Sequence, residues 1–267
     1  MKSVNKLMDL SGRVVLITGG AGHLGRTMAD ALAELGASIA IVDRAESDCL
    51  STVEWLSARH SVSVLPFSVD LEDEAKASAL PRRVADELGG VDILVNCAAF
   101  VGTSELEGWN EPFERQSVNT WRRAIEVNLT AVFALTQAAA PLLKAQGYGS
   151  IINISSIYGV HGPDLSLYQG TAMNNPAAYG TSKGGLLQFT RWCATVLAPE
   201  IRVNSITPGG VFRNQDEQFV ERYIEKTPLK RMACEEDFKG VVSFLASDLS
   251  AYVTGQNIAV DGGWGVW

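Results

Sequence analysis

Val14 to Leu35 reads VVLITGGAGHLGRTMADALAEL. Four consecutive apolar residues, Val14 to Ile17, suit a strand buried on both faces, as in a parallel sheet. Thr18 to Gly25 (TGGAGHLG) is a glycine-rich turn, and Leu24 to Leu35 has the spacing of an amphipathic helix closed by Gly36. Strand, glycine turn and helix in that order let the backbone approach a diphosphate while the helix N-terminus offers it free N–H groups and a partial positive charge.

The same alternation continues to the far end of the chain. Ser38–Asp43, Val62–Val69, Asp92–Val95, Ser150–Ser155, Ile201–Ile206 and Asn257–Val260 read as strands. Helical stretches lie between them at 47–60, 72–88, 121–146, 179–197, 216–226 and 235–245. The pattern predicts α/β architecture: a single-domain, Rossmann-type, doubly wound parallel sheet flanked by helices over residues 1–267, with ligand sites at the C-terminal strand ends. Segments 100–114, 157–178 and 208–215 each follow a strand, so they gather on the edge where the glycine loop opens.

Composition narrows the function. The 267 residues are 46% apolar and 19% charged, ample for a large core, and the net charge of −8 gives nucleic acid or an anionic membrane no electrostatic foothold. Apolar runs are short, and the first residues lack the apolar core of a secretory signal; a cytoplasmic protein is expected. Cys49, Cys97, Cys193 and Cys234 are widely spaced and histidines number three, which predicts neither a disulfide framework nor a metal site; buried small thiols are the expectation.

Asp43 ends the second strand 18 residues after Gly25, where a carboxylate accepts hydrogen bonds from a ribose diol and repels a ribose phosphate. NAD is therefore expected over NADP, with Arg44 and His23 the nearby groups able to meet a phosphate. Tyr179 and Lys183 are one helical turn apart on one face. A cation about 4 Å from a phenol, at an effective dielectric of about 20, contributes about 4 kcal/mol, the size needed to bring a tyrosine from about 10 toward neutrality. Ser155 and Ser156 end a strand just upstream.

On these motifs the chain resembles the classical short-chain dehydrogenase/reductase family over essentially its whole length. TGGAGHLG is similar to the family's glycine loop (Gly19, Gly22, His23, Leu24, Gly25), and VDLED at 69–73 to its adenine-contacting segment (Asp70, Leu71). VNCAA at 95–99 is similar to its Asn-Asn-Ala-Gly element (Asn96, Ala98), and IEVNLTAVF at 125–133 carries its helix asparagine as Asn128. SSIYG at 155–159 and YGTSK at 179–183 match its serine and tyrosine-lysine motifs. RVNSITPGGV at 202–211, with Pro208, Gly209 and Val211, and VTGQNIAVDGG at 253–263 match the closing segments.

The resemblance implies an oxidoreductase interconverting a secondary alcohol and a ketone by hydride transfer to or from a nicotinamide. Tyr179 is the implied acid/base and Ser156 the donor orienting the substrate oxygen. Lys183 lowers the tyrosine pKa and holds the nicotinamide ribose, and Asn128 holds a proton-relaying water. A homotetramer or dimer, built through the Tyr179 helix and the last strand, is also implied, as cover for the tryptophans of GGWGVW.

Three features depart from the pattern. His23 occupies the middle glycine position, where a left-handed backbone suits histidine better than most residues. Gly19, Gly22 and Gly25 also fit the spacing of extended members that act on nucleotide sugars, which keeps an epimerase or dehydratase with retained NAD as an alternative, beside a non-catalytic NAD-binding regulator. Arg213 stands where many members place a threonine near the nicotinamide. Finally, Ser156 precedes Tyr179 by 23 residues, so residues 157–178 form an insertion beside the catalytic groups. Its polar side chains, among them His161, Asp164, Tyr168, Gln169, Thr171, Asn174 and Asn175, suit a sugar, sugar phosphate or polyol.

Overall fold

The computed structural model describes residues 1–101, 104 and 106–267. Its strands are β1 (Val14–Thr18), β2 (Ser38–Asp43), β3 (Val64–Ser68), β4 (Ile93–Asn96), β5 (Gly149–Ile154), β6 (Ile201–Pro208) and β7 (Asn257–Val260). All seven lie parallel in one sheet of order β3-β2-β1-β4-β5-β6-β7. The chain winds outward from β1 to β3, then returns to the other side of β1 with β4. That reversal leaves a crevice above the C-terminal ends of β1 and β4.

Side-chain alternation along β1 feeds two cores. Val15 and Ile17 pack with Met28, Leu32, Ile39 and Leu245 on one face, while Val14 and Leu16 pack with Leu80, Val84, Leu135 and Ile151 on the other. The helices α1 (Val4–Met8), α2 (His23–Glu34), α3 (Glu46–Ser57), α4 (Glu74–Leu88), α5 (Val118–Ile125), α6 (Ala131–Ala145), α7 (Ala177–Val196), α8 (Glu217–Lys226) and α9 (Lys239–Ala246) follow the expected intervals closely. The short α1 has no apolar period to announce it; Ser3 caps it by accepting from the Lys6 N–H at 3.2 Å. Pro81 does not break α4, whose Ala77, Leu80, Pro81 and Val84 are buried.

A π-helical turn, Glu126–Thr130, joins α5 to α6 into one helix over 118–145. This helix has the length and apolar content of a membrane span, with a mean hydropathy of 1.3 over its best window. Here its Ala131, Leu135, Ala139 and Leu143 are core residues.

The insertion forms two 3₁₀ turns, Ile157–Gly159 and Leu165–Tyr168, and lies against α8. Ile157 and Leu167 pack with Phe219, Tyr223 and Met232, and Lys226 pairs with Asp164. Trp264 stacks on Tyr223 at 6.0 Å and meets His161 edge-on at 5.9 Å, so one of the two terminal tryptophans docks within its own chain; Trp267 is exposed.

Leu135→Ala deletes a fully buried side chain from the second core. We expect a loss of about 2–5 kcal/mol, read as a shift in the denaturant midpoint with the slope unchanged.

Candidate active site

The glycine loop is fixed by close approach. At Gly19, φ is +64° and a Cβ would lie 2.8 Å from the Ala98 Cα; at Gly25 a Cβ would lie 2.0 Å from the Gly19 carbonyl oxygen. Thr18 Oγ1 accepts from the N–H groups of Cys97 and Ala98 at 3.2 and 3.3 Å, tying the β1 and β4 ends together. Gly22 caps α2 without a side-chain acceptor, and the first turn of α2 carries no acid. Its free N–H groups and dipole therefore suit an anion.

His23 is the first residue of α2 and is not left-handed, contrary to expectation. The helix starts one residue early, and helical backbone needs no special residue there. Its ring is exposed, with Nδ1 3.9 Å from Glu235 Oε1.

Asp43 stands at the rim, its Oδ2 accepting from the Ala21 N–H at 3.2 Å and its Oδ1 from the Arg44 N–H at 2.8 Å. Asp70 Oδ1 accepts from the Glu72 N–H at 3.0 Å, and Arg123 grips the Glu72 carboxylate at 2.7 and 2.9 Å, fastening that wall to α5. Gly19, Gly22, His23, Leu24, Gly25, Asp43, Arg44, Asp70, Leu71 and Ala98 together line a cleft of about 670 Å³. Glycine cradle, uncapped helix end and rim carboxylate fit the diphosphate and ribose of a dinucleotide.

Four residues expected at the cofactor are not among those lining this cleft. The Asn96 amide donates to Asn153 Oδ1 at 2.9 Å inside the sheet, because the last residue of β4 points between strands rather than out of the crevice. Pro208 is buried at the end of β6, and Val211 forms a bridge with Ala233. Gly209 lines a separate concavity of about 440 Å³ with Tyr223 and Asp261. From this segment Arg213 reaches the cleft, as does Cys97 from β4, which sequence reasoning missed although it directly follows the strand. Burial pushes the Cys97 thiol up to about 11, against the pull of Lys183 and Arg213. Of the cysteines expected inside, Cys49 and Cys193 are buried, but Cys97 is only half-buried and Cys234 is exposed.

At the deep end, Ser156 follows β5 in extended backbone, and α7 carries Tyr179 and Lys183 on successive turns. Tyr179, like Phe100 and Leu106, packs against the cluster of Trp109, Ala124 and Ala178, and Ser156 lies close enough to act on its titration. Lys183 is 3% exposed; its Nζ donates to the Ile154 carbonyl at 2.7 Å and lies 5.9 Å from the centre of the Tyr179 ring. Burial lowers Lys183 to about 8. Burial also raises Tyr179 above its ordinary 10, with the Ser156 hydrogen bond pulling down. Desolvation sets the direction for Tyr179 here, while the Lys183 ammonium is engaged by the Ile154 carbonyl.

Asn128 is fully buried in the π-helical turn, its Oδ1 accepting from the Phe100 N–H at 2.7 Å and its Nδ2 donating to the Phe100 carbonyl and Ser182 Oγ, both at 3.1 Å. Its amide is spent on protein partners. The side chain therefore ties the Phe100 backbone to α7 through Ser182.

A glycine-cradled dinucleotide cleft leading to adjacent serine, tyrosine and lysine defines a nicotinamide-dependent oxidoreductase of the Rossmann type. A family model described as enoyl-(acyl carrier protein) reductase, of the short-chain dehydrogenase type, matches residues 19–265, and the chain belongs to the short-chain dehydrogenase/reductase family. A probable galactose dehydrogenase of Rhizobium meliloti strain 1021 is 34% identical over 96% of both chains. A gluconate 5-dehydrogenase of Burkholderia cenocepacia J2315, solved with NADP and tartrate, superposes with a TM-score of 0.86 at 28% identity, covering 99% of this chain and 100% of its own. A xylitol dehydrogenase solved with NAD⁺ superposes at 0.82 with 28% identity, covering 95% and 99%.

Asn96→Ala should cost about 1–3 kcal/mol of stability by orphaning Asn153 while leaving dinucleotide affinity unchanged, as calorimetric titration will show. Lys183 titrates near 8 in the folded chain against an ordinary 10.5. The unfolded chain therefore binds more protons between those values, and the burial penalty is complete below pH 8. Lys183→Met should raise the melting midpoint of the cofactor-free protein at neutral pH, and its advantage should shrink as pH rises from 8 to 10.5.

Proposed function

We propose that the protein is an NAD-dependent dehydrogenase that interconverts a secondary alcohol and a ketone on a sugar, sugar phosphate or polyol. The observation that carries this reading is the juxtaposition of Ser156, Tyr179 and Lys183, with Lys183 Nζ 5.9 Å from the centre of the Tyr179 ring and its charge acting on Cys97, which lines the cleft. A nicotinamide held there supplies hydride acceptance or donation. For oxidation, the Tyr179 phenolate takes the substrate hydroxyl proton as hydride leaves the carbinol carbon; Ser156 donates a hydrogen bond to the same oxygen. Lys183 holds a ribose hydroxyl and favours the phenolate.

The rim position of Asp43 supports NAD, because its carboxylate repels a ribose phosphate. The insertion supports a polyhydroxylated substrate. Tyr158 and Tyr168 share a hydroxyl–hydroxyl hydrogen bond of 2.5 Å, and Asn175 donates to Tyr168 at 3.2 Å. Tyr158, His161, Asn174 and Asn175 wall a concavity of about 770 Å³ beside Gly180 and Thr181, the residues following Tyr179. Relatives named for galactose, xylitol and gluconate point the same way. The partly exposed aromatic row Phe133, Phe189 and Trp192, with Phe189 stacked on Trp192 at 6.4 Å, suits a contact between copies through α6 and α7, in a dimer or tetramer.

The test is nicotinamide absorbance with NAD or NADP against sugars, sugar phosphates, polyols and simple alcohols. We expect reduction of NAD by a polyhydroxylated compound, and a loss of about 10²–10⁴-fold in turnover in Tyr179→Phe with NAD affinity retained. Asp43→Ser should tighten NADP by about tenfold. Bound NAD with no net reduction across the panel would favour an internal redox cycle of the epimerase kind, and turnover with NADP alone would overturn the reading of Asp43.

A further inference from the structure

Glu235 meets two groups that line the cofactor cleft, Arg213 and His23. Arg213 Nε and Nη2 both lie 3.2 Å from Glu235 Oε1, and His23 Nδ1 lies 3.9 Å from that same oxygen. His23 opens α2, whose uncapped N-terminus is the anion-binding end of the cleft. Arg213 also lines that cleft, and its charge is felt at Cys97, as is that of Lys183. It thus stands between the diphosphate end and the hydride-transfer end.

The pairing is built by backbone. Val211 bridges Ala233 in parallel, with the Phe212 N–H donating to the Ala233 carbonyl at 2.9 Å and the Ala233 N–H donating to the Gly210 carbonyl at 2.9 Å. Arg213 and Glu235 each lie two residues beyond the bridge, so parallel registration sets them side by side. The loop is further locked by Gln215, which accepts from the Arg213 N–H at 2.7 Å and donates to the Val211 carbonyl at 2.7 Å, with Asn214 left-handed at φ +55°.

A guanidinium offers a planar fork of five N–H donors that suits bidentate pairing with a carboxylate or phosphate. Here two of its nitrogens share a single carboxylate oxygen at 3.2 Å, short of the bidentate pairing the fork can make. We propose that Arg213 is a diphosphate-binding residue held ready by Glu235: on cofactor binding its guanidinium turns from the carboxylate to the cofactor diphosphate, beside the N-terminus of α2. A threonine there could donate one hydrogen bond; an arginine brings a full charge and a fork. This inference rests on the dinucleotide reading of the cleft.

ADP-ribose, which has the diphosphate but no nicotinamide, separates the two ideas when its dissociation constant is measured by calorimetry. Wild type that fails to bind ADP-ribose or NAD would sink the dinucleotide reading itself. Given wild-type binding, Arg213→Gln should weaken ADP-ribose and NAD alike by about tenfold at unchanged melting midpoint, and Arg213→Lys should recover part of the loss. Glu235→Gln, which removes the competing charge, should tighten ADP-ribose. Arg213→Gln binding ADP-ribose as wild type does would overturn the proposal, the more so with a raised KM for an anionic substrate. Weaker binding in Glu235→Gln would overturn the exchange.

Discussion

The position of the Gly19 carbonyl oxygen governs the rest of the site. A side chain at residue 25 would place a Cβ 2.0 Å from it, and one at residue 19 would press on the Ala98 backbone. Those two approaches let α2 start directly above β1 and let the loop pass over the end of β4. With the sheet reversing at this point, helix N-terminus, strand ends and crevice coincide. An anion bound there replaces the side-chain cap that α2 lacks, so ligand affinity and local order in the first turn are coupled.

The catalytic end follows a different physical rule. Tyr179 and Lys183 share a water-poor pocket, and burial opposes charge on both, pushing one pKa up and the other down. At neutral pH the chain by itself therefore holds a neutral phenol beside a lysine that is still mostly charged. The phenolate would be favoured by the positive charge of an oxidised nicotinamide held near Tyr179, so the acid/base group would be tuned with the cofactor in place. Placing the acid/base where water is scarce also strengthens each electrostatic effect on it.

Sequence periodicity carried the parallel α/β architecture and the place of all seven strands to within about two residues because strands buried on both faces are continuous apolar runs, and helices between them repeat at a different period. The catalytic residues were legible for a similar reason: Ser156, Tyr179 and Lys183 come from a strand end and one helix face, whose geometry is fixed by local structure. The structural partners of Asn96, Asn128 and Val211 were hidden because Asn153, Ser182 with Phe100, and the Ala233 backbone lie far off in sequence. An asparagine that braces a sheet and one that faces a ligand have the same letter. The docking of the insertion on α8 was equally hidden, since nothing local announces that Leu167 will find Phe219 and Tyr223.

That docking gives the insertion a mechanical role. Its ends are pinned at Ser156 and Tyr179, its middle is held by the Asp164–Lys226 pair, by Arg222 donating to the Leu167 carbonyl at 3.3 Å, and by the aromatic cluster that also receives Trp264. α8 in turn continues from the loop that carries Arg213. Tyr223 completes the connection, its hydroxyl accepting from the Gly210 N–H at 2.6 Å at the base of that loop. One packed body therefore joins the polar wall beside Tyr179 to the segment reaching into the cofactor cleft. A displacement of the insertion by substrate would be felt at Arg213 through rigid contacts, which gives the two ligands a physical route by which each can bias the binding of the other.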